Sequence, residues 1–185
     1  MKKPKVFLLI VLLKLALIAN TETRAQSETA SAQMPSFTLS DLDGNVVNSE
    51  AYRGSYLVIH IATTWCPFCN AEAPYLEQLN QDYSDKNVKV LIIDVKEPQE
   101  LVAKSLRDRF QLTFPVLLDS DGTVAASFAP ADVLPALARD EVMLASNLLI
   151  DPEGNIQFLS LLDSKNFDVK LTALQAKLDE LLLVQ

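Results

Sequence analysis

Tyr56-Leu57-Val58-Ile59-His60-Ile61-Ala62-Thr63-Thr64-Trp65-Cys66-Pro67-Phe68-Cys69 carries the only two cysteines of the chain, three residues apart. The stretch from Tyr56 to Ala62 is apolar apart from His60 and has the length and branching of a buried strand. The residues after Cys66 have helical spacing, so the cysteines fall where a strand becomes a helix. Residues i and i+3 of a first helical turn bring two sulfurs within bonding reach. Unpaired N–H groups and the positive end of the helix dipole favour a thiolate at the first of them. Pro67 falls at the first helical position, where a missing N–H loses no hydrogen bond. A loop this short constrains the unfolded chain very little. The pair therefore reads as a redox dithiol rather than a structural staple.

The 185 residues, 49% of them hydrophobic, suffice for one domain with a sizeable core. The start of the chain reads differently. Met1-Lys2-Lys3-Pro4-Lys5 is a basic n-region, Val6 to Ala19 an apolar run interrupted by Lys14, and Thr23-Arg24-Ala25 a small-residue cleavage site. Residues 1–25 are thus expected to be a secretory signal peptide, the competing reading being an uncleaved membrane anchor. Residues 26–34 are expected to form a flexible leader, and 35–185 the folded domain. Removing residues 1–25 takes five basic residues and one acid, leaving 11 basic against 23 acidic residues and a net charge of −12. So acidic a surface argues against nucleic acid as a partner. An exported, periplasmic location makes a disulfide chemically permissible.

Along the domain, Ser36 to Ser40 and Val46-Val47 flank the turn Asp41–Asn45 as an N-terminal β-hairpin. The helix after Cys66 carries Phe68, Ala71, Tyr75, Leu76 and Leu79 on one face, with Pro74 expected to kink it. Val88–Val95 is a second buried strand. Pro98 opens a helix with Leu101, Val102, Leu106 and Phe110 inward, and Phe114–Leu118 is a third strand. Residues 129–143 read as a loop or short helix. The strands Asn147–Ile150 and Ile156–Leu161 come next, then a helix from about Asn166 to Val184 with a leucine stripe. Strands alternating with helices predict a three-layer α/β sandwich, a central sheet flanked by helices.

From Met34 onward the chain resembles the TlpA/ResA-type thioredoxin-like proteins, exported bacterial thiol–disulfide oxidoreductases related to AhpC/TSA. The matching pieces are Pro35–Leu39 with Asp43-Gly44, then Arg53-Gly54, then Trp65-Cys66-Pro67-Phe68-Cys69 continued by Glu72 and Pro74. Leu112–Asp119 and Leu149–Gly154 match further on. The resemblance implies a thioredoxin-like fold and disulfide exchange with client proteins, expected to run as protein disulfide reduction. Cys66 would be the attacking thiol and Cys69 the buried resolving one, forming the redox-active disulfide between them. It also implies no cofactor and a membrane electron donor of thiol–disulfide type.

Three departures stand out. Ala145 occupies the position where such folds place a cis-proline opposite the dithiol, and a non-proline cis bond costs about 3–4 kcal/mol, so a trans loop is expected. The segment between Phe128 and Ala145 is longer than the family's and is placed to cap the site. His60, the sole histidine, stands six before Cys66, where Asp or Asn is usual. His60 is either a core histidine bonded to backbone or the acceptor of the Cys69 proton. Glu72 is either a surface glutamate or a partly buried carboxylate that relays protons and raises the cysteine pKa by repulsion. Trp65, Pro67, Phe68 and Ala145 are the expected client contacts.

Two other classes fit parts of the chain. A peroxiredoxin-like peroxidase shares the Thr63-x-x-Cys66 spacing but lacks the proline and the arginine of that site. A redox-inactive binding domain would have kept the fold alone. Zinc and iron–sulfur centres need about four ligands, and two cysteines with one histidine do not supply them.

Overall fold

The computed structural model describes residues 32–183. The expected signal peptide and most of the expected leader lie outside the described residues. Met34 is already buried and its N–H donates to the carbonyl of Gly154, and the Ala32 carbonyl accepts from the Ile156 N–H at 2.8 Å, so backbone pairing with the domain starts ahead of residue 35.

Seven strands form one sheet in the order β2-β1-β5-β4-β3-β6-β7. They are β1 (Thr38–Asp41), β2 (Val46–Asn48), β3 (Tyr56–Ala62), β4 (Val88–Val95), β5 (Val116–Asp119), β6 (Ser146–Ile150) and β7 (Ile156–Ser160). β3, β4 and β5 run parallel, joined by crossover segments, while β6 lies antiparallel against β3 and the β1–β2 hairpin extends the β5 edge. β3 is buried at every position, as an interior strand covered on both faces must be. The hairpin and the alternation of strands and helices are as predicted.

Strand periodicity sorts β3 between the two faces. Leu57, Ile59 and Ile61 join Leu91, Ile93, Phe37 and Met143 on one side. Tyr56, Val58 and Ala62 join Val90, Ile92, Leu76 and Leu174 on the other, and His60 faces that way between Val58 and Ala62. This second face is covered by α1 (Pro67–Asp82), by α2 (Gln99–Val102, continuing as a π-helical turn Ala103–Asp108) and by α5 (Thr172–Leu182). The short helices α3 (Thr123–Phe128) and α4 (Arg139–Val142) complete the domain.

Three sequence expectations shift. The inward face of α1 is Cys69, Glu72, Ala73, Leu76 and Leu79 with Glu77, while Ala71 is exposed. Sorting by hydrophobicity alone rotated that face, because two buried carboxylates carry their own partners. Glu77, for example, accepts from the Thr113 N–H at 2.8 Å and hydroxyl at 2.8 Å. In α2, Val102 and Leu106 point inward and Leu101 is exposed, since adjacent residues lie 100° apart on a helix. The last helix starts at Thr172 rather than near Asn166, because Leu171 adopts φ +58° and the Asp168 carboxylate receives the Ala173 N–H at 2.8 Å. α1 runs through Pro74 without a break.

Candidate functional site

Cys66 is the residue at which extended backbone becomes helix. Its φ of −73° and ψ of 115° place it just outside α1, with Pro67 next, and its Sγ accepts the Cys69 N–H at 3.2 Å. The sulfur thus occupies the place of an N-cap oxygen, against the positive end of a 16-residue helix. Both cysteines are free thiols. Hydrogen bonding from the Cys69 thiol, joined by the N–H groups of Cys69 and Phe68, holds Cys66 well below the ordinary thiol range despite its burial. Cys69 moves far the other way. It gives its proton to that bond, it is buried, and a Cys66 thiolate beside it disfavours a second negative charge. One environment therefore prepares an attacking thiolate and a proton-retaining partner.

The loop leading to Cys66 is fixed from below. The Glu97 carboxylate accepts both the N–H of Thr64 and, at 2.7 Å, its hydroxyl, and Asn70 Nδ2 donates to the Thr64 carbonyl at 2.9 Å. Asp94, buried near the end of β4, is raised to about 8 by desolvation and then by the charge and hydrogen bond of Glu97. Near neutral pH it remains protonated.

Beneath the dithiol three buried polar side chains meet. β6 pairs antiparallel with β3 in a register that sets Asn147 opposite His60. His60 Nδ1 lies 2.9 Å from Asn147 Oδ1, Asn147 Nδ2 donates to Glu72 Oε1 at 3.0 Å, and His60 Nδ1 lies 3.4 Å from Glu72 Oε2. Since the Asn147 amide nitrogen faces the Glu72 carboxyl, its oxygen faces the ring and accepts a hydrogen bond from Nδ1–H, which assigns the tautomer. Burial lowers His60 to about 4, against the opposing hydrogen bonds that the ring gives to Asn147 and the Ser146 backbone. Burial raises Glu72 to about 8, its bond from Asn147 opposing and the charges of Cys66 and Asp168 reinforcing the rise. Between these values both groups are neutral, so their contact is not an ion pair. A cavity of about 90 Å³ lies against Glu72, Ala145, Asn147 and Asp168.

Ala145, just before β6, is buried with φ +59°, and its N–H donates to the Ile61 carbonyl at 2.8 Å. All described peptide bonds are trans, as expected with alanine at this place. Trp65 is 67% exposed beside Cys66, which is itself only 4% exposed. Phe68 packs edge-on against Phe167, ring centroids 4.9 Å apart.

Apart from Ala145, the predicted residues fall into two groups. Cys66 and Cys69, with Trp65, Pro67 and Phe68, form the turn, while Glu72 and His60 meet below it. Asn147 was not anticipated. The one available signal was a polar residue opening the apolar run Asn147–Ile150, and its meaning depends on the β3–β6 register. Among the described residues no group of three or more His, Cys, Asp or Glu side chains is arranged to hold a metal, and no helix is long and apolar enough to cross a membrane.

Comparison with known proteins gives the family and the fold. The AhpC/TSA family profile matches residues 30–159. Thiol-disulfide oxidoreductase ResA of Geobacillus thermodenitrificans is 30% identical over 150 residues, covering 81% of this chain and 79% of that protein. Its namesake from Geobacillus kaustophilus is 28% identical over 157 residues, covering 85% and 83%. In fold, the chain is similar to a secreted Mycobacterium tuberculosis disulfide oxidoreductase homologous to Escherichia coli DsbE. The TM-score is 0.61 at 22% identity, over 78% of this chain and 95% of that one.

Proposed function

Because the chain belongs to the AhpC/TSA family and is a thiol–disulfide oxidoreductase of thioredoxin-like fold, we propose that Cys66 is its nucleophile, Cys69 its resolving thiol and Glu72 the acceptor of the Cys69 proton. The observation that carries this reading is the opposite perturbation of the two thiols at one helix start, with a buried carboxyl that titrates near 8 one turn further along the same helix.

In the forward direction, the Cys66 thiolate attacks one sulfur of a client disulfide. A Cys66–client disulfide forms, the client S–S bond breaks, and the first client thiolate leaves. Cys69 then loses its proton and its thiolate attacks Cys66 Sγ. The Cys66–Cys69 disulfide forms and the second client thiolate departs. Two electrons pass from the dithiol to the client. No organic cofactor enters the balance.

The proton of Cys69 needs an acceptor matched to working pH. Glu72, near 8, accepts it as the carboxylate, a form that gains population once the Cys66 charge is lost in the mixed disulfide, whereas His60, near 4, holds a proton too weakly. His60 is accordingly a positioning residue: it holds the Asn147 amide, which holds the Glu72 carboxylate. Export, client reduction and a membrane thiol–disulfide donor belong to the same proposal. Export rests on the signal-like residues 1–25, and client reduction and the donor rest on the likeness to ResA-type oxidoreductases.

The test is redox equilibration of the protein against glutathione, together with insulin reduction and a Cys69→Ala variant. A cycling dithiol, and a mixed disulfide that accumulates only in the variant, are expected. A Cys66–Cys69 pair that cannot be oxidised and re-reduced would sink the assignment.

A further inference from the structure

The surface beside Cys66 is built by the segment between α3 and β6. Arg139 Nη1 donates to the Val133 carbonyl at 3.0 Å and Arg139 Nη2 to that of Pro130, while Lys96 Nζ holds Asp140 at 2.6 Å. The bend from 130 to 138 is thereby fastened by its own backbone carbonyls. It presents Leu134 and Leu137 to solvent, 57% and 45% exposed. These two leucines face Trp65, Phe68 and Leu162 across a groove of about 330 Å³, and Cys66 is one of its lining residues. Glu141 is the single charged residue along it, and no basic side chain lines it.

Exposed large apolar side chains are ordinary when scattered. Here Trp65, Leu134, Leu137 and Leu162 converge on one groove beside the most thiolate-prone sulfur in the protein. A mixed disulfide fixes the client sulfur about 2.05 Å from Cys66 Sγ. Residues flanking the client cysteine must then lie along this groove, so its chemistry acts on them directly. An apolar groove with one acid and no base offers nothing to an anionic disulfide such as oxidised glutathione. It removes water from apolar neighbours of the cysteine, which favours the mixed disulfide and its preceding transition state.

We propose that the groove between Trp65 and the 130–138 bend selects disulfides in extended, accessible protein segments that carry a large apolar residue beside the cysteine, with Leu134 and Leu137 as specificity-determining contacts. This rests on Cys66 being the nucleophile.

The experiment compares second-order oxidation rates of the reduced protein by four disulfides. Two are dimers of blocked, uncharged pentapeptides, Ala-Leu-Cys-Phe-Ala and Ala-Ser-Cys-Gly-Ala. The others are oxidised glutathione and, as reference, hydroxyethyl disulfide. The apolar peptide should react at least about tenfold faster than the polar one, and glutathione more slowly than either. In Leu134→Ser/Leu137→Ser the ratio of apolar to polar rates should fall to within about threefold. Both positions are exposed, and Leu134→Ala/Leu137→Ala provides a milder replacement should the serines unfold the bend.

Equal peptide rates in the unaltered protein overturn the proposal without any variant. So does a preference that survives both double substitutions, or glutathione matching the apolar peptide. If hydroxyethyl disulfide does not oxidise the dithiol, the role of Cys66 falls and the groove assignment with it. If the reference reacts and the peptides are not distinguished, only the groove assignment falls.

Discussion

Replacing Glu72 by glutamine tests the buried network through stability, apart from any client. The glutamine oxygen still accepts from Asn147 Nδ2, so packing and that hydrogen bond are kept. In the unfolded chain Glu72 ionises near 4.5, whereas burial holds it protonated in the fold until about 8. Between those values the folded state binds more protons than the unfolded one, so stability is full below 4.5 and falls as pH rises through the folded value. At about 1.4 kcal/mol per pH unit, the gap sets a ceiling of about 5 kcal/mol of stability lost by pH 8, and structural relaxation reduces it to a few.

Asp94 adds a slope of the same sign, and His60, lowered to about 4, one of opposite sign below its unfolded value of 6.5. Asp94 is common to the two proteins and cancels in the difference, and His60, in contact with residue 72, is neutral in both folded and unfolded chains well above 6.5 and adds no slope there. Urea unfolding at pH 5, 6, 7 and 8 should therefore give curves that start close together. The Glu72→Gln variant should become progressively the more stable, by a few kcal/mol at pH 8. Parallel curves over that range would mean that Glu72 ionises normally, and that burial does not match it to the Cys69 proton at working pH.

Other consequences are smaller experiments. Asn147→Ala leaves Glu72 Oε1 and His60 Nδ1 without their partner, so it should cost about 1–3 kcal/mol in denaturant unfolding and raise the Glu72 pKa further by NMR titration. His60→Ala should slow release of a pre-formed mixed disulfide between pH 6 and 8, and an unchanged rate would remove its positioning role. Ala145→Gly should stabilise the fold by about 1 kcal/mol, because φ +59° is strained for alanine, measured as a shift in urea midpoint. Ala145→Pro in the same assay should cost about 3 kcal/mol or more, since proline can neither adopt that φ nor donate to the Ile61 carbonyl. Trp65, exposed beside the dithiol, should change its fluorescence between the reduced and oxidised protein, and identical spectra would separate it from the redox site.

Much of the enzyme is written along the chain because its signals are local. The strand–turn–helix around Cys66 comes from an apolar run, a proline at the first helical position and two cysteines at i and i+3. Neighbouring residues alone set that geometry, and the parallel order of strands comes from alternation with helices. Glu72 and His60 were visible as residues but not as a pair. Their meeting requires β6 to lie antiparallel beside β3 in one register, which sets Asn147 between them. Equally, hydrophobic spacing turned α1 slightly the wrong way, because Glu72 and Glu77 are buried through hydrogen bonds rather than through apolar character. By itself the sequence determined that there is a dithiol at a helix start and which fold carries it. Only the tertiary structure decided the protonation of the groups beneath it and the shape of the groove beside it. Burial and long-range register, which at the His60–Asn147 contact join residues 87 positions apart, have no local signature.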